Sequence, residues 1–130
     1  MKKTFLLLMS IVCLVLTSCE KEKTPAQLLQ KTWIASSQEI LGSVVPLTDG
    51  SSLTFNADNK GVDYKGSNKS TGSFTYTLND AGTSVAIVDT DGNGGNYNYT
   101  WTVETLTESD LTISTNTGMF GVIRIILKAQ

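Results

Sequence analysis

The spacing closest to a known chemistry is Asp89-Thr90-Asp91-Gly92-Asn93-Gly94. Oxygen ligands at alternate positions before a glycine make the first half of a calcium loop, which singles out Asp89, Asp91 and Asn93 as candidate metal ligands. The twelfth position should carry a bidentate glutamate and is Thr100, and the flanks read as strands where a calcium loop has helices. The segment therefore reads as a hairpin loop whose Gly and Asn residues supply positive φ, and the sequence calls for no metal and no other cofactor. Tyr97, Tyr99 and Trp101 form an aromatic stripe at strand spacing. Such a stripe can line an apolar pocket, but Tyr99 and Trp101 read as core, and Tyr97, beside the glycine-rich loop, is the one placed for a pocket mouth. Glu39, Asp63, Glu104 and Asp110 are the carboxylates that a glycosidase-like pair would need, and the sequence pairs none of them. The chain has no histidine. That removes Ser-His-Asp and Cys-His arrangements, the usual acid/base group near neutral pH and most zinc sites. The expectation is a protein that is not an enzyme.

The element that positions the whole chain comes first. Met1-Lys2-Lys3 is cationic, and residues 5–16 form an apolar run that only Ser10 interrupts. Twelve residues are too few for a permanent helical span, which takes about twenty. A positive start, a short apolar core and small residues at its end describe a secretory signal peptide. The run ends in Leu16-Thr17-Ser18-Cys19, which resembles the lipobox of bacterial lipoproteins. That resemblance implies cleavage before Cys19, diacylation of its sulfur and attachment to a bacterial cell envelope, with the outer membrane as the expected site and the facing side left open. One acyl chain gives marginal residence, whereas two or more hold at roughly 0.8 kcal/mol per buried CH2. Cys13 lies inside the apolar run and leaves with it. The expected organisation is a signal at 1–18, a lipidated Cys19 with a charged tether over 19–24, and one domain over 25–130.

Removing residues 1–18 leaves 112 of the 130 residues, with eight basic against twelve acidic side chains, a balance of −4. This is one small domain. It has no basic patch for a nucleic-acid partner, and no cysteine beyond Cys19, hence no internal disulfide.

Thr24 can cap a helical turn over 24–30, with Pro25 at its first position and Gln27 completing a capping box. Leu28 and Leu29 would then face the domain. The remainder alternates, rich in Thr, Val, Ile, Tyr and Phe and punctuated by Gly, Asn and Asp. The pattern predicts strands at 32–41, 52–56, 62–65, 72–78, 84–89, 96–106, 110–114 and 119–128. Leu53 and Phe55 point inward, as do Phe74, Tyr76 and Leu78, then Val85 and Ile87, and then Leu111 and Ile113. Val62 and Tyr64 share a face. Short turns leave no room for crossovers, so the fold class is all-β: an eight-stranded antiparallel up-and-down meander barrel with a short N-terminal helix. The eighth strand is apolar on both faces except at Arg124, which places it under the helix or against a protein partner.

Several stretches together resemble the small lipocalin-like domains of bacterial envelope lipoproteins. They are Lys31-Thr32-Trp33, Leu53-Thr54-Phe55-Asn56-Ala57-Asp58 before Gly61, residues 72–78, residues 101–107 and Asp110-Leu111-Thr112-Ile113. The resemblance covers about residues 25–128 and implies binding of a small apolar ligand in the barrel mouth. Phe55, Tyr64, Tyr76 and Tyr97 are the expected lining. It also implies that Arg124, on the last strand, packs over Trp33 at the closed end, although Lys31 stands where lipocalins carry glycine. The alternative is a filled barrel that serves as a protein-interaction module, an inhibitor or an assembly subunit, through the eighth strand or the long loops.

Overall fold

The computed structural model describes residues 21–92 and 98–130. Cys19, Asn93 and Tyr97 lie outside the described residues. Helix α1 (Pro25–Leu29) begins as its residues dictate: Thr24 Oγ1 accepts from the Gln27 N–H, and Gln27 Oε1 accepts from the Thr24 N–H. This reciprocal pair satisfies two donors that the first turn leaves orphaned. Leu29 is fully buried, while Leu28 is only half-buried. The indole N–H of Trp33 donates to the Leu29 carbonyl at 2.9 Å, fixing the end of the helix to the first strand.

Nine strands follow among the described residues: β1 (Thr32–Ile40), β2 (Ser43–Pro46), β3 (Ser52–Phe55), β4 (Lys60–Lys65), β5 (Ser70–Leu78), β6 (Ser84–Asp89), β7 (Thr100–Leu106), β8 (Asp110–Asn116) and β9 (Val122–Ala129). Strands β3 to β9 neighbour one another in chain order, every pairing is antiparallel, and β9 returns to β1. Closure produces an eight-stranded barrel, which removes the sheet edges along its wall. One edge of β1 pairs with β9 from Trp33↔Ala129 to Ile40↔Ile123. Its other edge meets β3 at residues 32–34 and β2 at residues 37–40. A bulge between Ala35 and Ser37 re-phases β1 against β9, and the Ser36 hydroxyl inside it donates to the Ile126 carbonyl at 3.0 Å.

Side chains alternate across this wall. Leu53, Phe55, Phe74, Tyr76, Val85 and Ile87 are buried inside, as expected, with Trp33, Trp101, Leu111, Ile113, Ile125 and Leu127. Three expectations need correction. The chain after β1 is not a loop: Leu41 (φ 52°) and Gly42 (φ 79°) make a two-residue turn that pairs Ile40 with Ser43 and adds β2. Tyr99 is not core; it is 41 % exposed. Val62 and Tyr64 do share a face, but it is the outer one. The register sets Leu53 opposite Asp63 and Phe55 opposite Gly61, and directly opposed residues point to the same side.

The two ends of the barrel differ. One carries α1, the β3–β4, β5–β6 and β7–β8 turns and the C-terminus; there Gly82 lies against Pro25, and Lys31 reaches Glu108. The other end, called the loop end, carries the β1–β2, β2–β3, β4–β5 and β8–β9 connections. At the loop end Leu41, Met119, Phe120 and Val122 are exposed, Met119 at 85 % and Leu41 at 75 %. Leu41 Cδ2 lies 3.4 Å from where a Cβ on Gly121 would stand, so the β1–β2 and β8–β9 tips touch.

Candidate ligand site inside the barrel

The interior is built from two kinds of residue. Toward α1 it is aromatic and closed. Phe55 meets Phe74 edge-on at 5.4 Å between centroids and Tyr76 at 5.0 Å. Such pairs contribute about 0.5–1.5 kcal/mol beyond area burial. The Tyr76 hydroxyl donates to the Asn56 carbonyl at 2.6 Å, and burial pushes its phenol above the ordinary value. The Phe74 ring lies over Gly61, where a methyl group would overlap it. With no side chain of its own at that point, β4 accepts the ring from β5.

Two residues further along the inner face of β4 stands Asp63. It is 1 % exposed, and among the described residues neither carboxylate oxygen has a hydrogen-bond partner. Opposite it on β5 is Gly72, where a Cβ would collide with Asp63 Oδ1. Burial pushes the Asp63 carboxyl above its ordinary value, Lys65 opposes this, and Asp91 and Asp89 add to it. Asp89 and Asp91 themselves shape the turn after β6. Asp89 Oδ1 accepts from the Asp91 and Gly92 N–H groups at 3.0 and 3.1 Å, and Asp91 Oδ2 accepts from the Ser73 N–H at 2.8 Å. Their carboxylates thus do the work of an Asx turn and a strand tie. Among the described residues no three His, Cys, Asp or Glu side chains gather closely enough to hold a metal ion.

Of the expected lining residues, Phe55 and Tyr76 are brought together inside the barrel. Tyr64 is half-buried on the outer face, paired with Ser52 and Thr71, and does not line the interior. Arg124 does not pack over Trp33. It projects from the outer wall, where its Nη1 donates to Glu39 Oε2 at 2.5 Å and its Nε to Glu104 Oε2 at 2.8 Å. This triad ties β1, β9 and β7 together across Ser114, which is 7 % exposed. Arg124, and after it Ser114, holds the Glu104 carboxyl below its ordinary range, and the two glutamates raise the guanidinium in turn. The cation near Trp33 is the ammonium of Lys31, 5.2 Å from the ring centroid, and Lys31 also donates to the Glu108 carbonyl at 2.8 Å. Asp110, the remaining carboxylate candidate, pairs with Lys128 and accepts from Ser109. Asp63 is thus the candidate carboxylate inside the wall to which, among the described residues, no side chain donates.

No family model and no curated protein sequence matches this chain. Solved structures do. A lipocalin-like protein from Bacteroides uniformis superposes with a TM-score of 0.60 at 17 % identity, over 79 % of this chain and 99 % of its own. An uncharacterized protein from Bacteroides eggerthii superposes with a TM-score of 0.55 at 16 % identity, over 78 % of this chain and 99 % of its own. At these identities the likeness is one of fold, and the fold is a lipocalin-like barrel.

Proposed function

We propose that this chain is a bacterial envelope lipoprotein, held to the outer membrane by acyl chains on Cys19, whose lipocalin-like barrel binds a small, partly apolar ligand without catalysing a reaction. The observation that carries the binding reading is the contrast between the barrel's two ends. Helix α1 and the Trp33–Leu29 hydrogen bond close one end, while the other presents exposed apolar side chains around its rim. Small-molecule sites favour concave, mostly apolar surfaces with a few placed polar groups, and an eight-stranded barrel is wide enough inside to hold one small ligand. The tether residues 21–24 lead directly into α1. An anchor at Cys19 therefore sets the closed end toward the lipid and the loop end away from it.

Native mass spectrometry of the protein purified in mild detergent from its own membranes tests the binding reading. A co-purified small molecule, or retention of an added alkyl probe, is expected. A clean ligand-free mass with no probe retained counts against it. The anchor is tested separately by fractionation, where Cys19→Ala is expected to leave the membrane fraction; a variant that stays membrane-bound contradicts lipidation at that residue.

A second reading is favoured by one observation. The touching tips that carry Leu41, Met119 and Phe120 make an exposed apolar patch of the kind that marks protein contacts. A filled barrel acting as an inhibitor or assembly subunit would use this patch, which includes the start of the expected eighth strand at Met119 and Phe120.

A further inference from the structure

We propose that Asp63 selects the ligand, and that the barrel takes small amphipathic amines whose ammonium group docks on its carboxylate. This deepens the ligand-binding reading and rests on it. Buried polar side chains nearly always find a partner, and an exception calls for an explanation. Asp63 is 1 % exposed, and among the described residues neither of its oxygens has a hydrogen-bond partner. Its neighbours do not suggest an accident of packing. Gly72 stands directly across the strand pair, and any larger residue there would occupy the carboxylate's space. The wall thus leaves room for an acid, and no side chain among the described residues donates to it.

The surrounding charge selects a cation. The charged groups that act on Asp63 are Lys65, two residues further along β4, Asp91, just past β6, and Asp89 at its end, and its own backbone N–H also favours the ionised form. Three carboxylates against one ammonium leave a local excess of negative charge. A carboxylic acid ligand would meet repulsion, and a neutral ligand would leave the one ammonium of Lys65 facing three carboxylates. An alkylammonium supplies donors to both oxygens and compensates the charge, and hydrogen bonds between ionised groups are the strong ones. A metal ion suits the site less well, because Asp89 and Asp91 are already engaged by backbone N–H groups. The apolar side chains nearest to hand are Leu53, directly opposite Asp63, and Phe74, the next inward residue after Gly72, both buried. Burial shifts the lone carboxyl toward its neutral form, and an arriving ammonium reverses that shift.

Three probes of equal chain length separate the outcomes: hexylamine, hexanol and hexanoate, titrated by calorimetry into the full-chain protein and into Asp63→Asn. The substitution is nearly isosteric, and circular dichroism confirms its fold. Wild type is expected to bind hexylamine about tenfold more tightly than hexanol and to reject hexanoate, and Asp63→Asn to lose the amine preference while keeping its hexanol affinity. Equal binding of amine and alcohol by wild type, or an amine preference that survives in Asp63→Asn, overturns the assignment and leaves ligand binding standing. Saturable calcium binding that displaces hexylamine also overturns it, in favour of a metal. If no probe binds wild type, the ligand-binding reading fails and this inference fails with it.

Discussion

Asp63 and Gly72 face each other across the β4–β5 pair on the inner wall, and the missing Cβ of Gly72 is what gives the Asp63 carboxylate its place. One residue makes the other tolerable. Neither is explained by packing a core, since the wall could have closed around two apolar side chains at that point.

The pair should therefore be coupled energetically. Gly72→Ala forces Asp63 Oδ1 away and is expected to destabilise the barrel by about 1–3 kcal/mol, the usual range for overpacking. In a background of Asp63→Ala the same change is expected to cost far less. A double-mutant cycle from urea unfolding reads the coupling, and additive effects would show that the two sites do not share this space.

Stability should carry a signature of the buried acid. Burial raises the Asp63 carboxyl above 3.8, with Lys65 opposing. The folded state then keeps a proton that the unfolded state releases, so this group's contribution falls as pH rises above 3.8 and levels off once the native carboxyl has ionised. Glu104, Glu108 and Asp110 are held low by Arg124, Lys23 and Lys128 respectively, and their contribution is lost in the opposite direction, as pH falls through their folded values. Asp63→Asn removes only the first trend. Urea midpoints from about pH 3 to about pH 8 are expected to show the variant gaining on wild type as pH rises. Parallel profiles would mean that Asp63 titrates as an ordinary carboxylate.

Much of the wall was legible from alternation alone. Ser73, Thr75 and Thr77 separate Phe74, Tyr76 and Leu78 so plainly that the β5 faces admit one assignment. Strand β4 misleads because its apolar residues, Val62 and Tyr64, are the outer ones. The missing signal was in the turn: Asn59 takes a left-handed conformation (φ 60°) and the Asn56 N–H bonds the Lys60 carbonyl. A three-residue hairpin of that kind pairs residue 55 with 61 and therefore 53 with 63, which carries Asp63 to the same side as Leu53. Strand β2 was hidden for a related reason. Its turn is Leu41-Gly42, whereas the usual two-residue hairpin signature opens with Asn, Asp or Gly. The tie between Arg124 and Trp33 failed because the two point to opposite faces of the wall, and an expectation carried over from a family has no view of strand phase.

The closed end should depend on Trp33. Trp33→Phe keeps one aromatic ring but loses the pyrrole ring and its N–H, so the Leu29 carbonyl is left with the Lys31 N–H at 2.8 Å as its donor and the helix end loses its tie to the indole. The expected cost is about 1–3 kcal/mol, from one lost hydrogen bond and the space that the missing ring leaves. Hydrogen exchange should report the loss most strongly at α1 and the start of β1. Uniform loss of protection across the barrel would show that the bond does not act locally.

On the outer wall, Arg124→Met leaves Glu39 and Glu104 facing each other without their shared cation. The variant should melt below wild type, and the gap should narrow as salt screens the glutamates. A gap that is indifferent to salt would assign Arg124's role to packing of its aliphatic stem.

The account turns on a ligand whose ammonium reaches Asp63 inside the wall, and the carboxyl carbon of that residue reports this directly. With the full chain labelled with carbon-13 at its aspartate carboxyls, addition of hexylamine should move the Asp63 resonance toward its ionised position, with amide shifts at Leu53 and Phe74. A still Asp63 resonance, with shifts gathered instead at Met119 and Phe120, would contradict it.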